Sequence, residues 1–318
     1  MLKALTLLLA AVCGPAGLSC AFAADDVFRV TLLGSGVPDP SPDRFSASTL
    51  IEAGDHKILI DVGRGATIRL YQLHIPLSKI DTVFFTHYHS DHTIGLPDLL
   101  LTGWLPPPFA HRTMPLHVIG PTGAKNLLSG LAIAYSADIK GREEDQHLPP
   151  EGVAANVDEF TEDGVVYDED GVKVTAFTVE HGIKPAFGYR IDYSGRSVVL
   201  SGDTNFNENV IKHGEGADLL IHEVAAMNQE LLKEPAFQKI LSIHTTPSQA
   251  GTVFARTHPK LAAYTHIAVF GTPVATAPTI ADIVSETRQT YQGPLVVGED
   301  LMTFDVGSNG VAVYRGGR

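Results

Sequence analysis

The stretch FFTHYHSDHTIG, residues 84–95, constrains the fold more than any other part of the sequence. It places His87, His89, Asp91 and His92 within six positions, directly after the apolar run IDTVFFTH. That run predicts a strand buried on both faces, as in a layered α/β fold. A buried strand that ends in imidazoles and carboxylates predicts a metal site at its carboxyl end; the alternative is a solvated loop of ordinary polar residues.

The spacing inside this motif allows two neighbouring metal sites. Side chains alternate along an extended segment, so His87, His89 and Asp91 tend to point one way and the adjacent His92 another. One loop can therefore supply ligands to two ions.

The N-terminal 23 residues predict a secretory signal peptide. Lys3 is followed by the apolar run LTLLLAAVCG and then by Ala21-Phe22-Ala23, which matches an A-x-A cleavage pattern. The apolar run is shorter than the ~20 residues that a membrane span requires. We therefore expect an exported protein, periplasmic or secreted, with no membrane segment after cleavage.

Cleavage would remove both cysteines, Cys13 and Cys20. Any metal site must then use nitrogen and oxygen ligands. The formal charge is −13, and no basic run occurs along the chain. Because nucleic-acid binding depends on clustered Lys and Arg, we expect no general nucleic-acid binding.

Short predicted strands and helices alternate after the signal peptide, without a repeat or a linker. The simplest interpretation is one α/β domain over residues 24–318. Residues 122–139 predict a single helix, and the polar residues 141–165 predict a surface excursion.

Three later stretches add metal-ligand side chains at the ends of predicted strands. VEHGIKPAFGYRI supplies His181, VVLSGDT supplies Asp203 and AAYTHI supplies His266. With these stretches the sequence resembles the metallo-β-lactamase superfamily, and its Gly-Tyr-Arg looks like the ribonuclease Z and arylsulfatase branch. The resemblance implies a single-domain, four-layer αβ/βα sandwich with metals at one edge.

Carried over to the matching positions, the resemblance implies a centre of two divalent ions. The first ion would be held by His87, His89 and His181, the second by Asp91, His92 and His266, and Asp203 would bridge them. Zinc is favoured because most of these ligands are imidazoles, although manganese or iron would tolerate the same set.

Further residues are candidates for supporting roles. Asp61 in LIDVG is expected to orient a ligating histidine, or else to cap a turn. In the branch that the sequence resembles, Glu223 and His244 correspond to a proton-shuttling pair, and an exposed imidazole at His244 suits a general acid. His222 is either part of this pair or a buried structural histidine. The remaining histidines have no comparable setting: His56, His74, His111, His117, His147, His213 and His258.

The expected activity is hydrolysis of a small anionic substrate or ester, a phosphodiester or an aryl sulfate, with a metal-bridging hydroxide as nucleophile and Asp91, His244 and Glu223 as catalytic residues. Lactone or β-lactam hydrolysis at the same centre is an alternative. An iron-dependent oxidoreductase and a non-catalytic metal-binding protein represent other classes.

Processing of tRNA is disfavoured on three grounds: the predicted export, the acidity, and the short connection between GYRIDY and SVVLSGDT, where ribonuclease Z commonly inserts a tRNA-binding arm. Related enzymes often dimerise, so a homodimer remains open.

Overall fold

The computed structural model describes residues 27–316, so the predicted signal peptide, residues 1–23, lies outside the described residues. This range contains fifteen strands and nine α-helices. The strands are β1 (Phe28–Gly34), β2 (Ser48–Ala53), β3 (His56–Ile60), β4 (Thr82–Phe84), β5 (Leu116–Pro121), β6 (Ala155–Phe160), β7 (Gly164–Glu169), β8 (Val172–Thr178), β9 (Phe187–Tyr193), β10 (Arg196–Leu200), β11 (Leu219–Met227), β12 (Leu261–Phe270), β13 (Leu295–Val297), β14 (Thr303–Gly307) and β15 (Gly310–Tyr314). The helices are α1 (Ala66–Gln72), α2 (Ser90–Thr93), α3 (Leu96–Trp104), α4 (Ala124–Ala134), α5 (Ser136–Gln146), α6 (Glu208–Gly214), α7 (Pro235–Ser242), α8 (Pro247–Thr257) and α9 (Ile280–Thr287).

The strands form two sheets that pack face to face. One sheet has the order β15-β14-β1-β2-β3-β4-β5-β6, and the other has the order β13-β12-β11-β10-β9-β8-β7. A single apolar core lies between them, and two further cores bury their outer faces under helices. In β11, for example, Leu219 and Ile221 face the other sheet while Leu220 packs on the helix side. The predicted four-layer αβ/βα sandwich is confirmed.

Two blocks of parallel strands define the rim that carries the candidate site. Strands β3 to β6 run parallel to one another, as do β10 to β13. The carboxyl ends of parallel strands meet at one edge of a sheet, which is where ligands bind in such folds. Asp61 follows β3, His87 follows β4, and Asp203 follows β10, so distant parts of the chain converge there.

Two expectations about local structure were wrong. The helix predicted over residues 122–139 is broken at Tyr135 into α4 and α5. Residues 141–165 lie at the surface as expected, but they are not a loop, because they contain the end of α5 and the whole of β6. Both elements are polar because they are exposed: α5 buries none of its residues, and β6 is the edge strand of its sheet.

Among residues 27–316, none of the helices combines the length and the apolar character that crossing a bilayer would require.

Candidate metal centre

The end of β4 and the short helix α2 position the histidine-rich motif. The backbone leaves β4 extended, and both the nitrogen and the hydroxyl of Thr86 donate to the carboxylate of Asp61, at 2.8 and 2.7 Å. The chain then turns into α2 at Ser90. A strictly extended motif would place Asp91 on the same side as His87. Because α2 interrupts the extended alternation, Asp91 instead lies beside His92.

One cluster of ligand atoms comes from His87, His89 and His181. The Nδ1 atom of His89 lies 3.1 Å from Nε2 of His87 and 3.1 Å from Nε2 of His181. Ligands bound at ~2.0–2.1 Å around a tetrahedral ion are ~3.3 Å apart, so these distances match a shared metal.

A second cluster comes from Asp91, His92 and His266. The Oδ2 atom of Asp91 lies 3.3 Å from Nε2 of His266 and 3.6 Å from Nε2 of His92. These side chains are buried, so their polar atoms are withdrawn from water. Nε2 of His92 and Nδ1 of His266 have no hydrogen-bond partner among the described residues. Buried polar atoms of this kind need a partner, and a metal ion can serve as one for Nε2 of His92.

Asp203 stands between the two clusters. Its Oδ2 atom lies 3.7 Å from Nε2 of His181 on one side, and 3.2 and 3.4 Å from Nε2 of His266 and His92 on the other. Burial would raise the pKa of Asp203, but the imidazoles of His266 and His92 hold it well below its usual range. The carboxylate is therefore ionised at neutral pH, as a metal ligand must be.

Hydrogen bonds at the opposite ring atoms fix the orientation of three histidines. Nδ1 of His92 donates to Asp61 at 2.7 Å, Nδ1 of His181 donates to the carbonyl of Ile243 at 3.0 Å, and Nδ1 of His87 lies 3.0 Å from the hydroxyl of Thr86. This arrangement leaves each Nε2 facing the cluster, which is the usual way that proteins prepare imidazole ligands. Asp61 thus occupies the supporting position expected from LIDVG.

Burial and neighbouring charges shift the pKa values of two buried histidines, His87 and His92, in opposite directions. Burial, reinforced by His92, lowers the pKa of His87 well below its usual value, so the ring is neutral and can bind a cation. Burial would also lower the pKa of His92, but Asp203 and Asp61 raise it well above the usual value. A proton and a metal ion therefore compete for Nε2 of His92.

Glu223 and His244 form an ion pair beside the clusters. Oε1 of Glu223 lies 3.0 Å from Nδ1 of His244, and it also accepts from the backbone nitrogens of Thr204 and Thr245 at 3.1 and 3.3 Å. Burial would lower the pKa of His244, but the charge of Glu223 outweighs burial and raises it to about 9. The side chain of Glu223 is 1% exposed and that of His244 is 11% exposed, so only His244 can reach a substrate.

His222 does not join the site. Its ring is fully buried, packs edge-to-face against Phe254 at 6.1 Å between centroids, and places Nδ1 2.7 Å from the carbonyl oxygen of its neighbour Glu223. It is a structural histidine of β11.

A cavity of about 310 Å³ opens over the clusters. Its polar lining consists of His89, Asp91, His181, Asp203, His244 and His266, with Asp39. The rest of the lining is apolar and includes Ile240, Ile243 and Phe270. Sequence reasoning missed these three residues, because nothing distinguishes them from ordinary core residues. The first loop, residues 35–47 between β1 and β2, also reaches the cavity, through Val37, Pro38 and Asp39.

A four-layer sandwich whose strand ends converge on seven histidine and aspartate side chains defines a metal-dependent hydrolase of the metallo-β-lactamase fold. Comparison with known proteins agrees: the β-lactamase superfamily domain matches residues 56–267. A ribonuclease Z of Mycobacterium avium (strain 104) is 33% identical over 280 residues, which cover 86% of this chain and 97% of that protein. The chain therefore belongs to the β-lactamase superfamily and, within it, to the family of the ribonucleases Z.

Solved structures share the fold. The metallo-β-lactamase fold protein YhfI from Bacillus subtilis superposes with a TM-score of 0.68 at 19% identity, covering 91% of this chain and 100% of its own. Human tRNase Z, short form, superposes with a TM-score of 0.63 at 24% identity, covering 88% of this chain and 99% of its own.

Two expectations about biological setting are corrected by these relatives. The absence of general nucleic-acid binding, inferred from acidity, conflicts with relatives that are named for acting on RNA. Net charge is a property of the whole surface and does not report the field at one site. The expected export to the periplasm or the medium is likewise contradicted by these relatives, the ribonucleases Z that match most of this chain.

Proposed function

We propose that this chain is a dinuclear metal-dependent phosphodiesterase that cleaves RNA. The observation that carries the dinuclear centre is the position of Asp203, whose single Oδ2 atom faces both ligand clusters at 3.2 to 4.0 Å. The RNA substrate is supported by the relatives named ribonuclease Z, which the chain matches over most of its length.

The donor set fits two divalent ions, zinc in the first place, because it combines buried imidazoles with ionised carboxylates. We assign His87, His89 and His181 to one ion, Asp91, His92 and His266 to the other, and Asp203 to both. Ions bound there would supply Lewis acidity and would lower the pKa of a water molecule toward neutrality.

The protein's own groups provide the remaining chemistry. His244 faces the cavity with a proton on its ring, and it can deliver that proton to the oxygen of the leaving group. Glu223 holds His244 in place and in its charged form. Asp91 contributes a second carboxylate to the cavity, and its Oδ2 atom contacts Nε2 of His266.

The proposal can be tested with the full-length protein. We expect it to hydrolyse bis(4-nitrophenyl) phosphate and to cut an RNA, and we expect a chelator to abolish both reactions until zinc or manganese is restored. Activity that survives complete metal removal would contradict the metal dependence. Hydrolysis of the nitrophenyl ester without any RNA cleavage would leave a phosphodiesterase but reject RNA as its substrate.

A further inference from the structure

The cavity over the metal clusters has a wall that the proposed chemistry does not use. Six apolar side chains form this wall: Val37, Pro38, Ile240, Ile243, Ala268 and Phe270. They come from three separate places, namely the first loop, the end of α7 with the residue after it, and the end of β12.

The wall is supported from behind. Ile240 and Phe270 pack against a small core that contains Met227, Leu231 and Ala275. Ile243 lies close to Gly182, where an added Cβ would come within 2.8 Å of its Cδ1 atom. The carbonyl of Ile243 also accepts the hydrogen bond from His181. The apolar surface is thus fixed beside the metal ligands and has little room to collapse.

The charges at the cavity limit what can bind against this wall. No lysine or arginine from the described part of the chain lines the cavity. Apart from the side chains of the two metal clusters, Asp203 and His244, its one charged lining residue is Asp39. A second phosphate next to the reacting one would therefore meet no positive side chain other than His244. Apolar walls in ligand sites instead favour apolar or aromatic groups of the ligand.

We propose that this apolar wall is a subsite for a flat aromatic ring carried by the substrate next to its reacting phosphoryl group. The ring could be a nucleobase or a simple aryl group, since both present the same apolar faces. At about 310 Å³, the cavity stands at the lower end of the ~300–1,000 Å³ usual for ligand sites, so it suits one ring beside the phosphoryl group. The subsite rests on the proposed function only for the identity of the reacting group.

Binding of unreactive ligands tests the wall without relying on turnover. The full-length protein, loaded with zinc, is titrated by calorimetry with phenylphosphonate and with methylphosphonate, which share the phosphonate and differ only in the ring. Burial of one ring should make phenylphosphonate bind ~10–50-fold more tightly. The proposal is overturned if phenylphosphonate binds no more tightly than methylphosphonate and adenosine 5′-monophosphate binds no more tightly than ribose 5-phosphate. This outcome does not depend on whether the protein hydrolyses phosphodiesters.

A second ligand pair separates the two sources of the ring. Adenosine 5′-monophosphate and ribose 5-phosphate differ only in the base. A preference for the nucleotide identifies a nucleobase, and a preference confined to phenylphosphonate identifies a simple aryl group; either supports the subsite.

A variant with a matched control assigns the effect to the wall. Ile240→Asn should reduce the preference for the ring to less than ~3-fold and leave methylphosphonate binding unchanged. Val274→Asn, at a side chain that is 96% exposed and outside the cavity, should keep the full preference. If Ile240→Asn keeps the preference as well, the wall does not bind the ring. Unchanged methylphosphonate affinity also shows that the variant is folded and metal-loaded.

Discussion

The carbonyl oxygen of Ser35 accepts a hydrogen bond from the backbone nitrogen of Ile267 at 3.0 Å. This contact ties the first loop to the residue that follows His266. In the pairing of β11 with β12, Glu223 lies opposite Thr265 and Val224 opposite Ile267, so His266 is the extra residue of a bulge, with φ of 42°. A bulge re-aims a side chain, and this one points His266 toward Asp91.

Asp300 holds Ser35 in place for this contact. One carboxylate oxygen of Asp300 accepts from the nitrogen and the hydroxyl of Ser35 at 2.9 and 2.8 Å, and the other accepts from Arg69 at 2.8 Å. We predict that Asp300→Asn weakens zinc binding at the proposed site of Asp91, His92 and His266 about 10-fold or more, because His266 loses its support. Competition with a chromophoric chelator measures this affinity.

Glu299→Gln is the matched control for Asp300→Asn, since Glu299 is the preceding residue and its side chain pairs with Arg315 at the surface. It should leave both zinc affinities unchanged. A fall in thermal stability of Asp300→Asn with unaltered zinc affinity would show that Asp300 supports only the fold.

A separate prediction concerns Asp203, the carboxylate proposed to bridge the two ions. Asp203→Asn should reduce the zinc content from two ions per chain to one or none and should abolish hydrolysis of bis(4-nitrophenyl) phosphate, because the amide cannot neutralise two cations. Metal analysis of the purified protein gives the stoichiometry. Asp158→Asn removes an exposed carboxylate that pairs with His117, and it should keep two ions. Two tightly bound ions in Asp203→Asn would contradict the bridging role.

Much of this centre could be predicted from the sequence, for a physical reason. Asp203 follows the apolar run of β10, and the carboxyl ends of parallel strands share one edge, so separate stretches can be assigned to one place. His266 was expected at a strand end but lies inside β12, where a bulge turns it toward the same edge. The motif His87-x-His89-x-Asp91-His92 after β4 located the site, because it places four metal-ligand side chains at one strand end. The split of its ligands between two clusters came from the resemblance, because the one turn of α2 that produces it is too short to predict from periodicity.

Other features left no sequence signal. Ile240 and Ile243 belong to the amphipathic pattern of α7 and its end, and such a pattern predicts burial without telling a core from a substrate cavity. The hairpin of β14 and β15 was not predicted, although β14 pairs with β1 and the loop before it carries Asp300. Residues 141–165 were misassigned because exposed helices and edge strands lack the apolar periodicity on which assignment depends.

The buried pair of Glu223 and His244 predicts a change in titration. In the metal-free protein the pKa of His244 is about 9, raised by Glu223 against the opposing effect of burial. Glu223→Gln removes the charge of Glu223, so burial is opposed only by the smaller effects of Asp203 and Asp91, and the pKa of His244 should fall well below 9. NMR titration of the imidazole resonances in metal-free protein measures the change. Glu230→Gln, the control at a surface ion pair with Lys233, should leave the pKa of His244 unchanged. An unchanged pKa in Glu223→Gln would mean that another group sets the charge of His244.

The proposed role of His244 as proton donor predicts a dependence on the leaving group. His244→Asn should slow cleavage of RNA, whose leaving alkoxide needs a proton, by ~10²–10⁴. It should change hydrolysis of bis(4-nitrophenyl) phosphate little, because nitrophenolate leaves without one, and it should keep both metal ions, since His244 is not assigned to either. His258→Asn is the control: His258 ends α8 with φ of 50°, a conformation that asparagine tolerates, and its Nδ1 contacts the carbonyl of Arg256. Rates for both substrates should then equal those of the unmodified protein. An equal loss of rate on RNA and on the nitrophenyl ester in His244→Asn would mean that His244 shapes the site and does not donate the proton.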